Sequence, residues 1–199
     1  MTGFAGSLQP RCGFPRSCKL GRTEAKAGGL RGFLTLNEKA TNMTQAHKDL
    51  IQELQAYAST ATTVEALMRH IAERLHEKMT RYNWAGFYLV DPADSNYLIV
   101  GPYAGSFTPN VRISLGNGLC GAAATSGKVV VVQDVSADPR YLPGSSLVKS
   151  EIVVPIYVNK KLTGELDIES YFADTFTREE QEFVEACARL AGDYLAKKS

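Results

Sequence analysis

The sequence predicts an α+β fold in which an antiparallel sheet carries helices packed mainly on one face. Three observations carry this. From Met43 onward, amphipathic helical stripes stand at both ends of the chain. The stretches between them alternate with the two-residue period of strands and are joined by short polar turns. The order helix, helix, hairpin, strand, short helix, strand, hairpin, helix is that of an antiparallel sheet rather than of repeated strand–helix–strand units. With 199 residues and 44% hydrophobic content the chain can bury one core, so a single domain is expected.

Residues 1–42 stand apart from this pattern. They hold seven basic residues (Arg11, Arg16, Lys19, Arg22, Lys26, Arg31, Lys39) against two acids (Glu24, Glu38), while the whole chain carries only +1. They are rich in Gly and Arg and have no apolar period. The readings are an organellar address, a basic nucleic-acid arm, a disordered tail, or an over-extended start before a true beginning at Met43; the last two are preferred. The near-neutral total gives no overall field to recruit nucleic acid or an anionic membrane. Nor does any stretch approach the roughly 20 apolar residues of a membrane span. Cys12 and Cys18 lie in a C-x5-C spacing with no histidine between, a poor match to a zinc motif, and Cys120 and Cys187 are isolated. That usage fits a reduced, cytoplasmic compartment. Neither a metal nor a cofactor is expected.

The first helix is expected over residues 45–58, with Leu50, Ile51, Leu54 and Tyr57 on one side. The second should begin at Thr62, with Glu65 closing a capping box, and run Val64, Leu67, Met68, Ile71, Leu75 and Met79 along its buried stripe. His70 and His76 fall off that stripe and read as solvated. Trp84 to Val90 and Tyr97 to Val100 then form a hairpin around the turn-rich segment 91–96. In its first strand Trp84, Gly86 and Tyr88 share a face. Two rings flanking a glycine predict a hollow there, either filled as core or suited to a substituted ammonium ion.

A short strand near Val111 to Leu115 precedes the glycine-rich segment 116–121 and a brief helix stopped at Gly127. Cys120 falls at the start of that helix, where backbone N–H groups would favour a thiolate; a buried, inert cysteine is the equal alternative. The glycines lack both G-x-G-x-x-G spacing and a following Lys-Ser/Thr, so they do not make a phosphate loop. A buried strand is expected from Lys128 to Asp134. The loop after it, Val135 to Lys149, is 15 residues long, a length more often functional than not. The last helix should start at Thr177, with Glu180 closing its capping box and Cys187 in its buried stripe.

The centre of interest is the hairpin from Ser150 to Ser170, because it puts acids where a core strand should be apolar. Glu151, Val153, Pro155 and Tyr157 share one face of its first strand. Thr163, Glu165, Asp167 and Glu169 share one face of its second, with Leu162, Leu166 and Ile168 on the other. A one-residue slip would drive Leu166 and Ile168 to the carboxylate side, so the expected register groups Glu151 with Asp167 and Glu169. Facing like charges are unfavourable, and burying them costs several kcal/mol more unless a cation arrives. Either this is the wet face of the sheet, or it is covered and holds a positively charged ligand.

WAGFY (84–88), GPYAG (101–105), GNGLCG (116–121), SEIVVPI (150–156) and GELDIES (164–170) together resemble the free methionine-R-sulfoxide reductases, single-domain members of the GAF family. The resemblance runs from about Met43 to Leu195. It implies a six-stranded GAF sheet and a pocket for free methionine sulfoxide, with Trp84 and Tyr88 on the sulfoxide side and Glu151, Asp167 and Glu169 holding the α-amino end. It also implies homodimers. Glu169 stands where the family usually has Asp. The family carries three cysteines, and here only Cys120 remains, since neither 106–110 (SFTPN) nor 138–149 (DPRYLPGSSLVK) contains a thiol. Two readings follow. One is a binding module or sensor for a small amino-acid-like cation. The other is a methionine-R-sulfoxide reductase in which Cys120 is the catalytic thiol and an external, thioredoxin-like reductant supplies the second.

Overall fold

A computed structural model describes residues 43–106, 108 and 110–198; the readings made for residues 1–42 lie outside the described residues. Two helices come first, α1 (Gln45–Thr60) and α2 (Val64–Lys78). They are followed by β1 (Trp84–Val90), β2 (Tyr97–Gly105), β3 (Arg112–Ser114), α3 (Gly118–Ser126) and β4 (Val130–Val132). A 3-10 turn (Val135–Ala137), β5 (Ser150–Val158), β6 (Lys161–Ser170) and α4 (Arg178–Lys198) complete the chain. The six strands form one antiparallel sheet in the order β3-β2-β1-β6-β5-β4.

Each long helix begins on a threonine whose hydroxyl accepts a backbone N–H. Thr44 takes that of His47, Thr63 that of Ala66 and Thr177 that of Glu180. Such caps satisfy donors that the helix itself leaves free, at about 1 kcal/mol each. The cap of α2 is therefore Thr63, not Thr62: Thr63 has the extended backbone of a capping residue, and Glu65 lies in the first turn, where its charge complements the helix dipole.

Alternation along the strands splits the interior in two. Ala85, Phe87, Ile152, Val154, Ile156, Leu166 and Ile168 pack with α1, α2 and α4. On the opposite face Trp84, Tyr88 and Val153 pack with Leu119, Cys120, Ala123 and Ala124 of α3. Three helices thus cover one face and the short α3 the other. Cys187 sits in the first cluster, as its helical stripe requires. His70 is half-buried rather than solvated, because its ring stacks on Tyr57 at 3.8 Å. His76 is tied by Nδ1 to the Tyr82 carbonyl oxygen at 2.9 Å.

Three strand expectations change. β2 continues through Gly101–Gly105, crossing a bulge opposite Phe87 that accommodates Pro102, which has no N–H to give. β4 is three residues, not seven, since only Glu151–Val153 of β5 pair with it and the Asp134 side chain turns the chain by accepting from Ser136 N at 3.0 Å. Leu162 lies with the Trp84 cluster rather than with Leu166. Pairing steps from Ile156↔Gly164 to Tyr157↔Leu162, so Thr163 is an extra residue that reverses the faces beyond it.

Candidate functional site

Strand register assembles the site. Glu151 pairs with Glu169 and Val153 with Asp167 across β5 and β6, the register expected from the sequence. β1 lies on the other side of β6, pairing Trp84 with Glu169, Gly86 with Asp167 and Tyr88 with Glu165. Directly paired residues project to the same side of a sheet. One face therefore carries Glu151, Glu165, Asp167, Glu169, Trp84 and Tyr88.

That face is covered, not wet. Helix α3 lies over it and brings the Cys120 thiol to Asp167, donating to Oδ2 at 3.6 Å. The segment after the 3-10 turn closes one side: Leu142 lines the space, and the Gly144 backbone runs so close that a Cβ there would stand 3.2 Å from Glu169 Oε1. Tyr88 reaches across to donate its hydroxyl to the Asn110 carbonyl oxygen at 2.8 Å. Asn110 Nδ2 in turn donates to the Pro143 carbonyl at 3.4 Å, joining the two covering segments. The enclosed space offers about 10 Å³ to the centre of a water-sized body, room for one. No lysine, arginine or histidine is among the described residues that line it.

Burial controls the electrostatics. Glu151, Glu165 and Asp167 are 5%, 0% and 4% exposed. Removal from water, reinforced by the neighbouring carboxylates, pushes Glu151 and Asp167 well above the usual carboxylate range. Burial raises Glu169 to about 7 and Glu165 to about 8. Neither oxygen of Glu165 has a hydrogen-bond partner, and Asp167 Oδ1 has none either. The carboxyl groups therefore hold protons at neutral pH that a cation would displace.

Of the two readings of Cys120, a thiolate or a buried, protonated thiol, this environment favours the second. Burial first, then Glu165, Asp167 and Glu151, raise its pKa well above the ordinary value, outweighing any help from the start of α3. The hollow expected over Gly86 is also filled. A Cβ at that position would stand 2.5 Å from both Trp84 Cη2 and Tyr103 Cβ, so the indole lies across the glycine. Trp84 packs at 5.5 Å on Tyr103 and 6.0 Å from Tyr88, and its Nε1 has no partner. Of the two rings, Tyr88 lines the enclosed space and Trp84 supports it from behind.

The family model for the GAF domain matches residues 63–195. The chain belongs to the GAF domain family. This GAF domain is 33% identical over 141 residues to the free methionine-R-sulfoxide reductase of Escherichia coli (strain K12), covering 71% of this chain and 83% of that protein. Among solved structures it resembles the free methionine-R-sulfoxide reductase from Neisseria meningitidis in complex with its substrate. Identity there is 30% and the TM-score 0.72, over 78% of this chain and 93% of that one. The reduced form of the fRMsr of Staphylococcus aureus superposes with a TM-score of 0.71 at 31% identity, over 78% and 97% of the two chains.

Two features of this GAF domain bear on its chemistry. Alternation puts Glu165 on the carboxylate face, where it pairs with Tyr88 and is fully buried without lining the space itself. Among the described residues the free cysteines are Cys120 and Cys187, and the sheet stands between them, since they belong to the clusters on its opposite faces. No helix among the described residues is long and apolar enough to cross a membrane.

Proposed function

We propose that this GAF domain is a binding module for a free amino-acid-like cation of the methionine sulfoxide class. Glu151, Asp167 and Glu169 receive the α-amino group, while Tyr88, backed by Trp84, forms the aromatic wall for the side chain. The observation that carries this reading is a narrow space faced by three carboxyl groups and an aromatic ring, with no basic side chain lining it among the described residues. An ammonium ion supplies both the charge and the N–H donors that these buried oxygens lack. The module works in a reduced, cytoplasmic setting, and pairing into a homodimer belongs to the same proposal.

Binding rather than turnover is preferred because a sulfoxide reduction by thiol chemistry needs one thiolate to attack sulfur and a second thiol to release the enzyme as a disulfide. Cys120 is held protonated and no second described thiol shares its cavity. The names of the relatives favour a second reading, a free methionine-R-sulfoxide reductase using Cys120 and an outside, thioredoxin-like donor.

Calorimetry on the full chain separates these. Free methionine sulfoxide should bind and its N-acetylated form, which has lost the cationic end, should not. Glu151→Gln should weaken binding by roughly 10- to 100-fold, the ~1.5–3 kcal/mol typical of a charged hydrogen bond. Equal affinity for the N-acetylated compound rejects the ammonium assignment. Turnover with dithiothreitol that disappears in Cys120→Ser would establish the reductase reading instead.

A further inference from the structure

One cluster in this cavity has a composition that an ammonium site does not call for. A donor atom from each of Cys120, Glu151 and Asp167 lies within 4.8 Å of the other two, and all three side chains are buried. A thiol adds nothing to the recognition of an organic ammonium, but thiolate sulfur favours zinc, which also accepts carboxylate oxygen. Glu165 is an independent pointer. It is fully buried, lies close enough to Cys120 to raise the thiol's pKa, and has neither oxygen partnered. A buried carboxylate without a donor costs several kcal/mol, which a dication removes.

We propose that Cys120, Glu151 and Asp167 form a three-ligand zinc site, with Glu165 as a buried carboxylate beside it, that competes with the amino-acid cation for the same carboxylates. The dimensions agree. Bonds of about 2.3 Å to sulfur and about 2.1 Å to oxygen in a tetrahedron give a sulfur–oxygen edge of about 3.6 Å, and Cys120 Sγ stands 3.6 Å from Asp167 Oδ2. The donor set also selects the ion. A thiolate among the donors favours zinc, whereas magnesium takes oxygen ligands and keeps several waters. Zinc enters by displacing the thiol proton and the carboxyl protons to solvent, so its affinity rises with pH. Cys120 thereby has a role that needs no partner thiol.

The test uses the full chain carrying Cys12→Ser and Cys18→Ser, so that Cys120 and Cys187 are the remaining thiols. Equilibrium dialysis against zinc at pH 7.5, with metal measured by mass spectrometry, should give one zinc per chain. Magnesium in large excess should not displace it. Cobalt substitution should produce a thiolate-to-cobalt charge-transfer band, and Glu165→Gln should lower zinc affinity by at least about tenfold. Cys120→Ser should abolish the band. Substoichiometric zinc, a cobalt complex with no thiolate band in the parent chain, or a band that survives Cys120→Ser overturns the proposal. Methionine sulfoxide binding measured in a chelator stands or falls separately, so loss of the zinc site leaves the amino-acid reading intact.

Discussion

Glu165 is the side chain on which the electrostatic balance of the pocket turns. Its carboxyl titrates near 8 in the folded chain, against an ordinary value of 4.5. The folded state therefore binds the proton more tightly than the unfolded one. The associated stability is fully present below about pH 4.5 and is lost as pH rises through about 8, a swing on the order of 3–5 kcal/mol. Glu169 acts in the same direction over a narrower window, ending near 7. Glu165→Gln removes the titration and keeps the shape. Thermal unfolding should show the variant close to the parent at pH 5 and more stable by several degrees at pH 9 in metal-free, ligand-free buffer. A difference that stays flat across this range would mean that Glu165 is not buried as a neutral acid.

At the scale of elements, β1 and β6 hold the pocket together, and glycine lets them approach. At Gly164 an added Cβ would come within 2.4 Å of the Tyr88 carbonyl oxygen and 2.9 Å of Leu89 Cδ2. Backbone cannot swing aside as a side-chain tip can, so Gly164→Ala should cost at least about 1–3 kcal/mol and weaken ligand binding through the displaced Tyr88. Denaturant unfolding with an unchanged midpoint would rule this out. The carboxylate face and its register were legible beforehand because alternation in residues 151–169 ties the acids to one side through Leu166 and Ile168 on the other. What escaped was local or non-local by nature. One extra residue at Thr163 reverses Leu162, and the shortness of β4 depends on how much of β5 finds a partner. The protonation of Cys120 depends on Glu165 and Asp167, more than forty positions away in the chain, and the rotamer that lays Trp84 over Gly86 leaves no mark in residue order.

Across the whole molecule, a second, half-buried polar group fastens the helical layer on the face opposite the pocket. Glu180 of α4 accepts from the Tyr82 hydroxyl and sits 3.4 Å from Nε2 of His47, whose ring stacks on Phe183 at 4.3 Å. Burial works against the charge of Glu180, and the His47 and Tyr82 hydrogen bonds outweigh it, holding the carboxyl below its ordinary value. The first and last helices are thereby joined to the turn that starts β1. Tyr82→Phe should lower stability by about 1 kcal/mol while leaving pocket affinity within twofold, because the sheet separates the two layers. Calorimetry and chemical unfolding on the same variant check both halves; a loss of affinity larger than the loss of stability would show that the layers communicate.

The tightness of the chamber under Leu142 and Gly144 carries a kinetic signature. On the proposed reading, a guest of amino-acid size enters beside the 138–149 segment, which parts from Asn110 to admit it. In rapid mixing, the observed association rate should climb with guest concentration and then level off at the opening frequency, a plateau that a permanently open bowl would never display.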